Sequence, residues 1–218
     1  MNIFNNVNYV LFDLDGVISD NSDGIISGVI HAMEKLSLDV PPRDELFRFI
    51  GPPLKDEFAE FCELSADDVA RAVAIYREYY REHGIFENVM YDGICDMLVG
   101  LKSAGKKLYL ATSKPEEFAR RICAHFEIDH YFEYIGGATF DGKRDRKADV
   151  IRYVMDTFDI QPDDAVMIGD RHHDVFGAKE CGLPCIGVLY GFGSKKELED
   201  AGAAAVVSSV GEITKILL

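Results

Sequence analysis

The sequence predicts an α/β protein: a doubly wound, Rossmann-like parallel sheet with a helical cap inserted after its first strand. Short apolar runs recur at residues 8–12, 107–111, 134–136, 165–168, 185–188 and 205–207. Such runs read as strands buried on both faces. Segments of helical spacing lie between most of them, and strands alternating with helices build a parallel sheet. The exception is the first interval, where about 75 residues of mostly helical pattern intervene, far more than an α/β connection needs outside its helix. A block of that size reads as a cap over the strand ends.

The first strand, residues 8–12 (NYVLF), ends abruptly at Asp13-Leu14-Asp15-Gly16. In the cap, Ile25, Ile26, Val29, Ile30, Met33 and Leu36 share one face of a helix over residues 23–36, with Asp23 as its N-cap. Pro41-Pro42 breaks the chain, and residues 43–50 and 54–63 read as helices separated by Gly51-Pro52-Pro53. Ser65 opens a further helix that continues through Val69, Val73, Tyr76 and Tyr80. No strand is expected in this block. From Tyr91 onward helices are predicted at 92–103, 115–126, 147–158, 174–181, 194–201 and 210–217. Pro115 suits the first turn of its helix, and Gly182 the end of another. The expected division is a core of residues 1–16 and 91–218 and a cap of residues 17–90.

A chain of 218 residues accommodates one such core and a smaller module. Its net charge of −15 disfavours nucleic acid and anionic membranes as partners, because both demand clustered lysine and arginine. No apolar run approaches the ~20 residues that span a bilayer. The N-terminus, MNIFNNVNYVLFDLDG, has neither a basic leader nor a small-residue cleavage site. A cytoplasmic protein is expected. The five cysteines, Cys62, Cys95, Cys123, Cys181 and Cys185, form no CxxC pair, which argues against a disulfide framework or a zinc site. Most are expected to fill the core.

In an open parallel sheet, ligands bind beyond the carboxyl ends of the strands. The strands deliver Asp13 and Asp15, then Thr112, Ser113 and Lys114, then Asp170 with Asp174 close behind; Lys147 opens a helix in between. These residue types suit phosphoryl transfer, which needs a nucleophile, neutralisation of the phosphoryl oxygens and protonation of the leaving oxygen. Asp13 is a candidate nucleophile. Magnesium prefers oxygen ligands, and Asp13 and Asp170 can supply them. Asp15 stands beside a like charge, which should raise its pKa and suit it to acid–base work. Gly16 would let the turn present backbone N–H groups to phosphate. Thr112 or Ser113 can donate to a phosphoryl oxygen, and Lys147 adds a cation where the helix dipole also favours anions. Simpler readings exist: Thr112-Ser113 as an N-cap, Lys147 as a solvated member of the cluster with Lys143, Arg144 and Arg146, and Asp174 as a helix cap. His172-His173 reads as part of a polar loop near the substrate.

Asp13-Leu14-Asp15-Gly16-Val17, Thr112-Ser113-Lys114-Pro115, Lys147 and Gly169-Asp170-Arg171-His172-His173-Asp174 together resemble the four motifs of the haloacid dehalogenase-like superfamily. The resemblance covers nearly the whole chain and is nearest to the phosphoglycolate phosphatase branch. In that branch a helical cap follows the first motif, and Ile50-Gly51-Pro52-Pro53-Leu54 resembles its cap loop. It implies a phosphatase acting on a small phosphorylated metabolite, with Asp13 forming an aspartyl-phosphate and Asp15 serving as acid and then base. Asp13, the Asp15 carbonyl and Asp170 would bind Mg2+, Asp174 would support the metal through water, and Thr112 and Lys147 would hold the phosphoryl group. Lys147-Ala148, where many relatives have Lys-Pro, leans toward nucleotidases. The resemblance implies no role for Arg171, His172 or Lys114. Two alternatives use similar residues. A phosphomutase of the β-phosphoglucomutase kind shares the motifs and cap. A non-enzymatic phospho-acceptor signalling module would be shorter and capless. Weak self-association of the cap, giving a homodimer, is compatible with this reading.

Overall fold

The computed structural model describes residues 3–4, 6–50 and 54–218. The chain divides into two compact units, Met1–Asp20 with Met90–Leu218, and Asn21–Val89. In chain order the first unit begins with β1 (Tyr9–Phe12) and β2 (Ser19–Asp20). The second holds α1 (Ser22–Lys35), a 3₁₀ turn at Arg43–Phe49, α2 (Leu54–Phe61), α3 (Ala66–Tyr79) and a π turn at Tyr80–Gly84. The chain returns through β3 (Val89–Met90) and continues as α4 (Ile94–Ser103), β4 (Lys107–Pro115), α5 (Glu116–His125), β5 (Phe132–Ala138) and α6 (Lys147–Phe158). It ends with β6 (Ala165–Gly169), α7 (His172–Glu180), β7 (Cys185–Val188), α8 (Lys195–Ala201), β8 (Ala205–Val207) and α9 (Val210–Leu217).

The main sheet has six parallel strands in the order β5-β4-β1-β6-β7-β8. Val10, Leu11 and Phe12 of the central β1 are fully buried, as expected of an apolar run covered on both faces. Leu11 and Met167 pack with Val150, Ile151 and Val154 of α6 and Val175 of α7 in one apolar cluster. From β1 the chain winds outward through β4 and β5, then returns to β6 on the other side of β1. The connections leaving β1 and β6 therefore diverge, and a crevice opens between them. Phe12 is in register with both Leu110 and Ile168. That register brings residues 13, 111 and 169 to the same edge of the sheet.

Several local details differ from the sequence expectations. α1 takes Asn21 as its N-cap, with Asp23 in the first turn; there the carboxylate still meets the positive end of the helix dipole, and it pairs with Arg43. Pro115 is the N-cap of α5 and not its first helical residue. α7 begins at His172, two residues before the expected start. β4 runs on past Ala111 to Pro115, with an irregular register against β5 between those residues. The two-residue strands β2 and β3 lie where none was expected, being too short to carry an alternating pattern. Residues 43–49 wind as a 3₁₀ turn, and the Gly51-Pro52-Pro53 loop lies outside the described residues. Only Cys123 and Cys185 are buried; Cys62 and Cys181 are partly exposed and Cys95 is exposed, and all five are free thiols. Among the described residues no helix is long and apolar enough to cross a membrane.

In the second unit, α1 buries Ile26, Val29 and Met33. Tyr76 and Tyr80 stack with centroids 5.4 Å apart. Phe49 meets Phe58 at 5.1 Å and Phe61 at 5.8 Å. Arg48 lies over Phe61 and pairs with Glu57 at 2.5 Å.

Candidate active site

Asp13 follows the last residue of β1, and its N–H donates to the Ile168 carbonyl at 3.0 Å. The sheet ladder thus continues one residue past the strand and fixes the side chain at its carboxyl edge. Asp13 Oδ1 accepts from the Leu14 N–H at 2.8 Å and stands 2.7 Å from Lys147 Nζ. Lys147 is the first residue of α6, and its side chain is only 5% exposed. Its ammonium also lies 2.8 Å from Asp174 Oδ1 and donates to the Ala111 carbonyl at 3.3 Å. Burial alone would pull its pKa down, but Asp13 and then Asp174 outweigh that and hold it up. Lys147 is therefore no member of a solvated cluster. Its neighbours pair elsewhere, Arg144 with Glu116 and Arg146 with Glu180.

Asp170, directly after β6, and Asp174, in the first turn of α7, are both almost fully buried. Asp174 Oδ2 accepts from the N–H groups of Asp170 and Arg171, each at 3.1 Å. It ties down the connecting turn from inside its helix while its other oxygen meets Lys147. Asp13, Asp170 and Asp174 each offer one carboxylate oxygen, and these oxygens lie within 4.8 Å of one another. Burial, then the neighbouring Asp174 and Asp13 charges, push the Asp170 carboxyl well up. Burial also raises Asp174, against the pull of Lys147. One ammonium facing three carboxylates leaves negative charge uncompensated in a buried place. A hard divalent cation with oxygen ligands fits that donor set.

The expected presentation of N–H groups to phosphate does not extend to the N–H of Gly16 itself. Its N–H donates to the Ser19 carbonyl at 2.9 Å and so is engaged within the turn. Glycine is required here for two other reasons: φ is +78°, and a Cβ would fall 2.1 Å from Asp170 Oδ2. Thr112 is buried while Ser113 is exposed. The Thr112 hydroxyl accepts from the Lys114 N–H at 3.2 Å, a local bond inside the irregular end of β4. Asp15 has its pKa raised as expected, but chiefly by burial. The like charge of Asp13 contributes less, and Lys114, 2.8 Å from Asp15 Oδ2, works against the rise.

Three features escaped the sequence. The Phe192 N–H donates to Asp170 Oδ2 at 2.8 Å. Beside it Gly193 lies so close that a Cβ would fall 1.8 Å from the Asp170 carbonyl oxygen. The Gly191-Phe192-Gly193 run after a strand was the available signal, since glycines between a strand and a helix mark close backbone approach. Glu197 gave no signal, being 25 and 26 residues from its partners. Its Oε1 accepts from Arg171 Nε at 2.8 Å and the His172 N–H at 3.0 Å, and lies 2.5 Å from His172 Nδ1. His172 and His173, expected in a loop, form the first turn of α7 with rings 3.8 Å apart.

Burial alone would raise the Glu197 carboxyl, but these donors outweigh it and lower the pKa to about 2. A carboxyl depressed on folding stabilises the native state above its unfolded pKa, and that contribution fades as pH falls toward the folded value. Wild type should therefore exceed Glu197→Gln in stability at pH 7 and lose the advantage between about pH 4.5 and 2. Urea midpoints measured at pH 7, 4.5 and 3 check this; a difference constant with pH would count against it.

The fold and the site together define a doubly wound α/β enzyme whose centre suits an anionic group held through a cation. The sequence matches the model of the haloacid dehalogenase-like hydrolase family over residues 10–188, and the chain belongs to that family. It is 43% identical over 189 residues to a 5'-nucleotidase of Pseudomonas aeruginosa, covering 87% of this chain and 86% of that protein. It is 36% identical over 207 residues to the tyrosine-protein kinase PtkA of Mycobacterium tuberculosis, covering 95% of this chain and 70% of that protein. Among solved structures, a protein described as a predicted phosphatase from Clostridium acetobutylicum superposes with a TM-score of 0.88 at 46% identity, covering 96% of this chain and 97% of that one. The family match, the nucleotidase and the predicted phosphatase place the chain among the phosphatases of its family.

Proposed function

We propose that this chain is a magnesium-dependent phosphatase that hydrolyses a small phosphomonoester through an aspartyl-phosphate on Asp13, acting in the cytoplasm. The observation that carries the reading is the gathering of Asp13, Asp170 and Asp174 at the switch point of the sheet, with Lys147 paired to Asp13 and Asp174. Asp13 and Asp170, with the Asp15 carbonyl, would hold the metal, and Asp174 would support it. Bound magnesium would neutralise the charge shared by the nucleophile and the phosphate.

Asp13 attacks phosphorus, and the bond to the ester oxygen breaks with its electron pair on that oxygen. Asp15 gives that oxygen a proton. The Asp15 carboxylate then takes a proton from water as the water oxygen attacks the aspartyl-phosphate, which frees inorganic phosphate and restores Asp13. Lys147 and the Thr112 hydroxyl hold the phosphoryl oxygens. The nucleotidase relative and the Lys147-Ala148 variant favour a nucleoside monophosphate, with phosphoglycolate as the other class to be tried.

The test is phosphate release with magnesium over nucleoside monophosphates, phosphoglycolate, sugar phosphates and pyrophosphate, repeated with chelator. Asp13→Asn should lose at least about 10³-fold in kcat, as nucleophile removal does in covalent catalysis, with an unchanged circular dichroism spectrum. Wild-type turnover in that variant would end the mechanism.

A further inference from the structure

We infer that Lys114 is a positioning residue for Asp15, fixing one carboxylate oxygen so that the other exchanges the proton with the leaving group. The inference rests on the acid–base role proposed for Asp15.

The two oxygens of Asp15 have different surroundings. Oδ2 is 2.8 Å from Lys114 Nζ. Oδ1 is buried and has no hydrogen-bond partner among the described residues. Buried carboxylate oxygens normally find donors, so one left without a partner calls for an explanation. A leaving-group oxygen, and later a water, would supply the missing partner during turnover. The carboxylate can turn about its Cβ–Cγ bond, and a single donor on Oδ2 stops it from doing so.

Lys114 is itself held for this task. Its side chain is only 7% exposed. Its backbone lies in the irregular register between Ala111 and Pro115, and its N–H is bound by the Thr112 hydroxyl at 3.2 Å. Removing an ammonium from water is costly unless a partner compensates, and Asp15 is that partner. The two buried lysines divide the work: Lys147 bridges the nucleophile and Asp174, while Lys114 attends to the acid.

The effect should depend on the leaving group. A nitrophenolate departs with little need of a proton, whereas an alkoxide needs one. With magnesium present, phospho-enzyme formation is followed in a single turnover for p-nitrophenyl phosphate and for glycerol phosphate. In Lys114→Met the alkyl ester should slow roughly 10–100-fold, a part of the roughly 10²–10⁴-fold that general acid catalysis contributes. The nitrophenyl burst should change less than about threefold, with KM for both esters within about twofold. Lys114→Arg, which keeps a cation, should recover most of the alkyl-ester rate. Lys114→Gln replaces the Met variant if that one does not fold.

Equal slowing of both esters with a raised KM would overturn the inference, because it would mean Lys114 binds substrate directly. Asp15→Ala separates the two readings. If it shows the leaving-group pattern and Lys114→Met does not, the Lys114 inference alone fails. If Asp15→Ala lacks the pattern, the acid role fails and takes the inference with it. Adding Lys114→Met to Asp15→Ala should slow the alkyl ester no further, since both act through one group; a further loss counts against the inference.

Discussion

Replacing Lys147 by Met should remove activity and, in the absence of metal, a large part of the stability. The substitution keeps most of the length of the side chain and deletes the ammonium that lies 2.7 Å from Asp13 and 2.8 Å from Asp174. Three buried carboxylates then face one another with oxygens within 4.8 Å and no cation. Breaking a buried ion pair from one side typically costs about 3–5 kcal/mol, because the remaining charge is left uncompensated. For a chain of this length that corresponds to a fall in Tm of roughly 6–20 °C. The deficit should shrink as pH falls, because protonation of the orphaned carboxylates relieves their repulsion. Magnesium should also restore part of it by binding the native state. Activity should fall at least about 10²–10³-fold, the loss typical of removing one charge-stabilising donor. Thermal melts at pH 5 and pH 8, with and without magnesium, together with kcat/KM, check all three effects. A variant as stable as wild type in chelator would mean the carboxylates do not depend on Lys147.

Much of this arrangement was legible because it is carried by strand ends. The short, β-rich run NYVLF reads as a buried strand, and its abrupt stop at Asp13 places that residue at the ligand edge of the sheet. The same logic placed Asp170. Lys147 was ambiguous in the sequence, since Lys143, Arg144 and Arg146 surround it. Its burial is a tertiary fact, set by α6 packing against the sheet with its first residue over the strand ends. Gly16 shows a different limit. A glycine after a strand signals a turn, but the turn alone does not say whether its N–H faces a ligand or, as here, the Ser19 carbonyl. The pairings of Lys114 and Glu197 were unreadable because their partners are remote in sequence: Asp15 follows the neighbouring strand β1, and Arg171 and His172 lie on another element. Charge pairing of that kind leaves no periodic trace.

Gly16→Ala should damage function more than folding. Alanine at φ +78° costs about 1–2 kcal/mol in backbone strain, and a fall in Tm of roughly 2–8 °C follows. The larger consequence is steric. The new Cβ would fall 2.1 Å from Asp170 Oδ2 and 2.5 Å from its Cγ. That carboxylate must give way, but the same oxygen is held by the Phe192 N–H at 2.8 Å. Turning it breaks this bond and moves an oxygen out of the acidic cluster. Magnesium affinity should fall at least about tenfold, the lower end of the loss seen when support of a metal ligand is removed. Gly193→Ala makes the informative contrast. Its Cβ would meet the backbone carbonyl of Asp170, which cannot swing aside, so the loss should be mainly of stability. Calorimetric titration of magnesium alongside a thermal melt separates the two. If Gly16→Ala bound magnesium as wild type does, the close packing of the first turn against Asp170 would not be what holds the carboxylate in place.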